Sequence, residues 1–487
     1  MNLDPLESLR TNALFREACF IDGQWVSPPK MERLSVDNPA NGQIIGSVPR
    51  LGREHTLQTI EAAQRAWPAW RELSAEARGS ILYRWYELML EQEETLARIM
   101  TLEQGKPLAE SAGEIRYAAS FLKWFAEEAR RAYGRTIPPA KTGQQIVVLR
   151  QPIGVCAAIT PWNFPSSMIT RKAAAALAAG CPIVVKPASA TPFSALALAV
   201  LAEQAGVPAG VFNVLTGSAS EIAGEMTANP IVRKVSFTGS TEVGSALMRQ
   251  AAGNVQKISL ELGGNAPFIV FDDADIDAAV DGAIAAKFRN TGQTCVCVNR
   301  FYVQGGIHED FVNRLKDRID GLRLGDGMNP DSDVTPLIDK GAADKVMAQI
   351  EEATGQGATL VSGGQRDPRG DNFVLPTLLT EIRQSMRVMQ EETFGPLVAV
   401  SRFADESEAI EMANDTPFGL AAYFYSENVH RVWRVAEAIE AGMIGINTGL
   451  VSNAAAPFGG VKASGLGREG ATEGLDEYLE TKYLLMG

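Results

Sequence analysis

From about residue 150 onward, short apolar runs alternate with helix-forming stretches, and no other feature of the chain restricts its fold as much. "IGVCAAITP", "PIVVKP", "GVFNVLTG" and "VRKVSFTG" are strand candidates, with helical segments such as "SSMITRKAAAALAAG" and "TPFSALALAVLAEQAG" set between them. A strand that is apolar throughout is buried on both faces, which requires helices on either side of a parallel sheet. A second series follows, with "APFIVF", "RFYVQ", "LVAVSRF", "LAAYFY" and "MIGIN" as strands and helices such as "NVHRVWRVAEAIEAG" among them. The two series meet in "ELGGNAP", near residues 262 to 267. The expected class is therefore α/β with two open sheets. A length of 487 residues accommodates this, since a single core stops growing well before that size.

The flanks read differently. Residues 55 to 132 carry apolar residues at three- and four-residue steps, as in "ARGSILYRWYELMLEQEETLARIMTLEQ", and predict packed helices. "GRTIPPAKTGQQIVVLRQP" reads as an excursion that ends in an extended strand. The most apolar stretch is broken by Lys186 and by Pro182, Pro187 and Pro192 into pieces too short to span a bilayer. The first twenty residues hold acidic side chains and no continuous apolar segment, unlike a secretory signal.

Charge and sulfur exclude further classes. A net charge of -13 repels phosphates at long range, which argues against nucleic acid and anionic membrane as partners. Five cysteines in so long a chain make no disulfide framework, and three histidines make a metal cluster improbable. A reducing, cytoplasmic compartment is expected.

The ends of strands in open α/β sheets are where ligands bind. "SFTGSTEVG" puts Gly239 and Ser240 where a strand turns into a helix, so exposed N–H groups there could hold a phosphate, although for this motif alone an ordinary N-cap with a tight turn is the better reading. No G-x-G-x-x-G is present here. Lys186, ending "VVK", could meet a ribose or phosphate or be a solvated strand end. In "ITPWNFP" the amide of Asn163 suits a developing oxyanion, against a turn around a buried Trp162. Glu261 in "SLELGG" is a candidate base raised by burial, against a paired structural carboxylate. In "FRNTGQTCVCVNR" a thiol beside glycine is the strongest nucleophile candidate, against two small buried hydrophobes.

Taken together and in order, "TPWNFP", "KPAS", "FTGSTEVG", "ELGG", "GQTC", "EETFGP" and "PFGGVKASGLGRE" resemble the NAD(P)-dependent aldehyde dehydrogenase family from end to end. "MITRK", "FRN", "TCVC" and "NTGLVSN" are similar to its succinate-semialdehyde members, with glutarate-semialdehyde enzymes close by. The resemblance implies a Rossmann-like cofactor domain (1–129 and 151–261), a catalytic domain (262–460) and a β arm for oligomerisation (130–150 and 461–487). It implies Cys295 as nucleophile, Glu261 as general base, and Asn163 with the Cys295 N–H as oxyanion hole. Thr160, Trp162, Lys186, Ser189, Thr238, Gly239, Ser240, Glu392 and Phe394 would bind the cofactor. Arg171, Arg289 and Ser452 would bind the substrate carboxylate, and Cys297 would be a redox partner for Cys295 or a packing residue. No metal is implied.

The implied reaction is thiolate attack on a small anionic semialdehyde, oxidation to a thioester, and hydrolysis. Serine at position 189, where NAD-preferring members often carry Glu, removes a charge that would repel a 2′-phosphate, so NADP is expected as the preferred cofactor and NAD as a second. A homodimer or homotetramer is expected. The alternatives are a catalytically silent cofactor-binding protein and an acylating enzyme that passes its thioester to coenzyme A.

Overall fold

The computed structural model describes residues 5–487. After an N-terminal region come helices Arg53–Glu72 and Ala75–Glu91, then α1 (Glu93–Gln104) and α2 (Leu108–Glu128). Gly105, at φ 94°, ends α1 in the left-handed conformation that a residue without Cβ adopts freely, and Pro107 precedes α2. The turn Gln104–Gly105–Lys106 is thereby fixed between two packed helices, and it comes close to the site described below.

The chain then runs through β1 (Gln145–Pro152) into a first sheet. Its parallel strands are β2 (Val155–Ile159), β3 (Ile183–Lys186), β4 (Phe212–Val214), β5 (Val232–Thr238) and β6 (Lys257–Glu261), in the spatial order β4-β3-β2-β5-β6. Helices α3 (Ser167–Ala179) and α4 (Thr241–Ala251) follow β2 and β5. Strand order reverses between β2 and β5, which opens a crevice at their C-terminal ends. An N-terminal hairpin, Cys19–Ile21 with Gln24–Val26, extends the β4 edge through a two-residue Asp22-Gly23 turn with both φ values positive. The core beneath is closed by Trp85, Phe121, Phe125 and Phe212, all essentially buried, each contributing roughly 1.5–3 kcal/mol by removal from water.

The second sheet is built from β7 (Ala266–Val270), β8 (Val298–Gln304), β9 (Thr377–Thr380), β10 (Leu397–Phe403), β11 (Ala421–Tyr425) and β12 (Met443–Ile446), in the order β9-β10-β8-β7-β11-β12 and all parallel. An antiparallel strand, Thr359–Ser362, pairs with β9. Helix α5 (Ile276–Phe288) connects β7 to β8. The link between the sheets is only Leu262–Asn265, so the C-terminal end of β6 meets the N-terminal end of β7. The strands proposed from sequence in both series are all found.

A separate antiparallel ribbon stands apart from both sheets: Arg135–Ile137 pairs with β1, and β1 pairs over its full length with β13 (Leu479–Met486), from Leu479 opposite Pro152 to Met486 opposite Gln145. Of residues 461–487 only β13 enters this ribbon. Gly465–Leu466 instead pairs with β6 of the first sheet, and the short helix Ala471–Asp476 packs on α2 and α3. No helix among the described residues is long and apolar enough to cross a membrane.

Candidate active site

The nucleophile candidate is carried by a loop with a forced shape. After α5 the chain takes three successive left-handed residues, Asn290 (φ 50°), Thr291 (φ 56°) and Gly292 (φ 79°). Such conformations cost free energy and persist where surrounding contacts hold them. Here Gln104 Nε2 donates to Asn290 Oδ1 (3.0 Å), Thr291 Oγ1 donates to the Thr335 carbonyl (3.0 Å), and the Ile338 N–H donates to Gln293 Oε1 (2.9 Å). A Cβ on Gly264 would lie 2.4 Å from the Cys295 carbonyl oxygen, so only glycine lets the inter-sheet link approach this loop so closely.

The first sheet supplies the facing wall. The segment after β2 carries Thr160, Trp162 and Asn163, the turn after β5 carries Thr238, Gly239 and Ser240, and Glu261 ends β6. Trp162, Asn163, Gly239, Glu261, Cys295 and Phe394 are among the residues that enclose a cavity of about 290 Å³. Phe394 is itself left-handed (φ 56°) and meets Trp162 edge-on at 5.6 Å between ring centres. Asn163 Nδ2 donates to the Gln293 carbonyl (2.9 Å), tying one wall to the other and leaving its second N–H free of that bond.

Burial sets the electrostatics. Cys295 is pushed up to about 12, first by burial, with Arg171 and Arg289 pulling down and Glu261 and Glu392 pushing up. Glu261 is held well above the ordinary carboxylate range by burial and then by Glu469, and neither of its oxygens has a hydrogen-bond partner. A buried, unpaired carboxyl of this kind rests protonated, and once it has given that proton up it is a strengthened base in the cavity that holds the thiol. Glu392 is pushed up to about 7 by burial and accepts the Gly264 N–H (3.1 Å).

The crevice fits a phosphate-bearing dinucleotide. Thr160 Oγ1 and Thr238 Oγ1 are buried without partners at the point where strand order reverses, and Ser240 caps α4 by accepting the Val243 N–H (3.3 Å). The N–H groups that begin α4 thus face the mouth of the crevice. Lys186, at the end of β3, is pushed down to about 8 by burial and donates to the Pro187 carbonyl (2.9 Å), while Ser189 is exposed in the turn that follows.

The remaining expected residues divide. Arg171 is buried under Phe458 (4.3 Å) and bonds Glu469 (3.3 Å) and the Tyr117 hydroxyl (3.5 Å). Arg289 is half-buried against the Phe164 ring (5.4 Å), and it has no carboxylate within 4.0 Å among the described residues. Ser452 lies in a different opening, of about 420 Å³, shared with Tyr117 and Trp124. Cys297 is buried outside the cavity, its Sγ against the Lys287 and Val298 carbonyls (3.5 Å each). Sequence reasoning missed Lys345, which lines the cavity, and Glu469, which sits between Arg171, Lys172 and the charge field of Glu261. Glu469 lies in the quoted motif "PFGGVKASGLGRE", but nothing in one sequence gives its proximity to Glu261.

Residues 25–484 match the model of the aldehyde dehydrogenase family. The chain is 58% identical over 479 residues to the glutarate-semialdehyde dehydrogenase of Pseudomonas aeruginosa, covering 98% of this chain and 99% of that one. It is 57% identical, with the same coverage, to the succinate-semialdehyde dehydrogenase (NADP(+)) of Escherichia coli. The crystal structure of succinate-semialdehyde dehydrogenase from Burkholderia pseudomallei superposes with a TM-score of 0.97 at 55% identity, covering 98% of this chain and 99% of that one.

Proposed function

The chain belongs to the aldehyde dehydrogenase family, and from that premise we propose that it oxidises succinate semialdehyde to succinate, with NADP preferred and NAD accepted. One observation carries the chemistry: a thiol, an unpaired buried carboxyl and a side-chain amide line one cavity at the crevice between the sheets.

In this reading Glu261, in its ionised form, takes the Cys295 proton and later passes it to solvent, while the sulfur bonds the aldehyde carbon and the carbonyl π pair moves to oxygen. The oxyanion so formed accepts from Asn163 Nδ2 and the Cys295 N–H, donors aimed at charge that appears only in the transition state. As the oxyanion re-forms its carbonyl, the hydride leaves the same carbon for the acceptor that a nicotinamide held here would supply, and a thioester remains on Cys295. Trp162, Thr160, Thr238, Gly239 and Ser240 would hold its ring and phosphates, Lys186 and Ser189 its adenosine ribose, and Glu392 with Phe394 its nicotinamide end. Glu261 then takes a proton from water, whose oxygen adds to the thioester carbon; the C–S bond breaks, the acid is released and Cys295 recovers a proton. That carboxyl also argues against an acylating enzyme, which would have to keep water away.

In this reading Arg289, with Arg171 and Ser452, recognises the substrate carboxylate by charge-assisted bonds, Tyr117 linking Arg171 to the opening in which Ser452 lies. Glutarate semialdehyde is the second reading, favoured by the equally similar Pseudomonas relative. Residues 1–129 with 151–261 form the cofactor unit and 262–460 the catalytic unit, while the ribbon within 130–150 and 461–487 joins copies into a dimer or tetramer. Free thiols throughout support a cytoplasmic location.

The test is cofactor reduction, with NADP and NAD in turn, over aldehydes of graded length with and without a terminal carboxylate. The highest kcat/KM is expected for the four-carbon acid with NADP. A preference for uncharged aldehydes would overturn the assignment.

A further inference from the structure

Behind the cavity, out of reach of any substrate, lies a buried cation that none of the chemistry above uses. Lys106 is fully buried, and its Nζ makes two short bonds: to Glu114 Oε2 (2.6 Å) and to the backbone carbonyl of Asn163 (2.6 Å). It also lies over the Phe164 ring at 4.0 Å. The other oxygen of Glu114 accepts the N–H groups of Ser166 (3.0 Å) and Ser167 (3.1 Å), where α3 begins. One ion pair therefore clamps the segment from Asn163 to Ser167 at both ends.

The same carbonyl is held from the opposite side. Asn290 Nδ2 donates to the Asn163 carbonyl (3.1 Å) and to that of Gln293 (3.2 Å). Gln104 Nε2 donates to Asn290 Oδ1, and Gln104 Oε1 accepts the Lys106 N–H (3.0 Å). These bonds close a ring: from the turn Gln104–Lys106 to the Asn163 carbonyl, across to Asn290, and back to Gln104. Asn163 belongs to the first sheet's segment and Asn290 to the loop that carries Cys295, so the ring spans the two walls of the site.

We infer that the turn Gln104–Gly105–Lys106 is a positioning element for the reaction, which holds the Asn163 amide at a fixed distance from Cys295 by gripping the Asn163 carbonyl. This rests on the reading of Asn163 as oxyanion donor. A buried ion pair with both partners present is rarely needed for stability, since an apolar replacement of both often folds as well. Its position on the backbone of a donor that must be placed within a fraction of an ångström is what preorganisation requires. Neither Lys106 nor Gln104 lines the cavity: Lys106 grips the Asn163 carbonyl directly, and Gln104 reaches it through Asn290.

The experiment uses Lys106→Met/Glu114→Gln, which removes both charges together, and Gln104→Leu, which leaves the ion pair intact and cuts the ring at Asn290. Two assays are run: semialdehyde oxidation, and hydrolysis of p-nitrophenyl acetate, which needs Cys295 and an oxyanion donor but no cofactor. Thermal unfolding checks that each variant is folded. Either variant should lower kcat in both assays by about 10- to 100-fold, less than loss of the donor itself, with KM changed by less than about twofold. Introduced into Asn163→Ala, the same changes should cost under about threefold more, because residues that act through one group are not additive. If the double variant does not fold, Gln104→Leu decides alone. Wild-type kcat in a folded variant, or a full multiplicative loss in the Asn163→Ala background, overturns the inference. Wild-type kcat in Asn163→Ala by itself overturns the oxyanion reading as well, so the two failures are distinct.

Discussion

At the scale of single residues, the thiol of Cys295 in the cofactor-free protein lacks what would keep it ionised. Burial outweighs the pull of Arg171 and Arg289 and holds it up to about 12. Below that value the thiolate fraction grows with pH, so alkylation of Cys295 by iodoacetamide should rise about tenfold per pH unit from 7 to 9 without levelling. A plateau below pH 8 would show a thiolate stabilised in the resting site. Glu261 has no partner to lose, so Glu261→Gln should leave the fold intact and keep a burst of reduced cofactor while slowing steady turnover; Cys295→Ala should abolish both. Stopped-flow absorbance separates the two phases. The arginines carry the selectivity prediction. Arg289→Ala or Arg171→Ala should lower kcat/KM for succinate semialdehyde by about 2–5 kcal/mol, the range for truncating one partner of a buried charge pair, and spare uncharged aldehydes of the same length. Equal losses on both substrate classes would make these side chains supports of the loop, a role that the Arg171–Glu469 bond already suggests for part of the Arg171 effect.

At the scale of elements, the loop from Asn290 to Cys295 gives the sharpest expectation. A methyl on Gly292 would sit 2.3 Å from the Gly395 carbonyl at φ 79°. Gly292→Ala should therefore cost at least about 1–3 kcal/mol of stability and lower kcat with it, as read by thermal unfolding and initial rates. This loop also marks where sequence reading stops. The strands of both series were legible because burial on two faces writes uninterrupted apolar runs, and Glu261 was legible because it interrupts one just before two glycines. The Asp22-Gly23 hairpin was written in the chain as well, since that dipeptide is the usual two-residue turn, yet its three-residue strands are too short for a periodic pattern. The ring through Gln104, Asn163 and Asn290 was not legible at all. It depends on side chains 57 and 127 positions from Asn163, those of Lys106 and Asn290, meeting at one carbonyl, and no local pattern encodes that. The extent of the arm was legible only in part: 461–487 was expected to belong to it as one segment, while pairing with β1 begins only at Leu479.

At the scale of the whole molecule, the ribbon of Arg135–Ile137, β1 and β13 stands away from both sheets with Tyr483 and Leu485 59% and 49% exposed. An apolar ribbon of this kind is covered in solution or aggregates. Light scattering at micromolar concentration should give a dimer or tetramer, and a stable, active monomer would refute the oligomer reading. The short link Leu262–Asn265 has a further consequence. Glu261 stands on one lobe and Cys295 on the loop feeding the other, so the gap between acid-base group and sulfur is a gauge of how the lobes are set against each other. Like the opening of a vice, it changes with any small rocking about the screw. Any displacement of one lobe against the other would therefore carry Asn163 and Glu261 together relative to the Cys295 sulfur, so attack on the aldehyde and hydrolysis of the thioester would change as a pair.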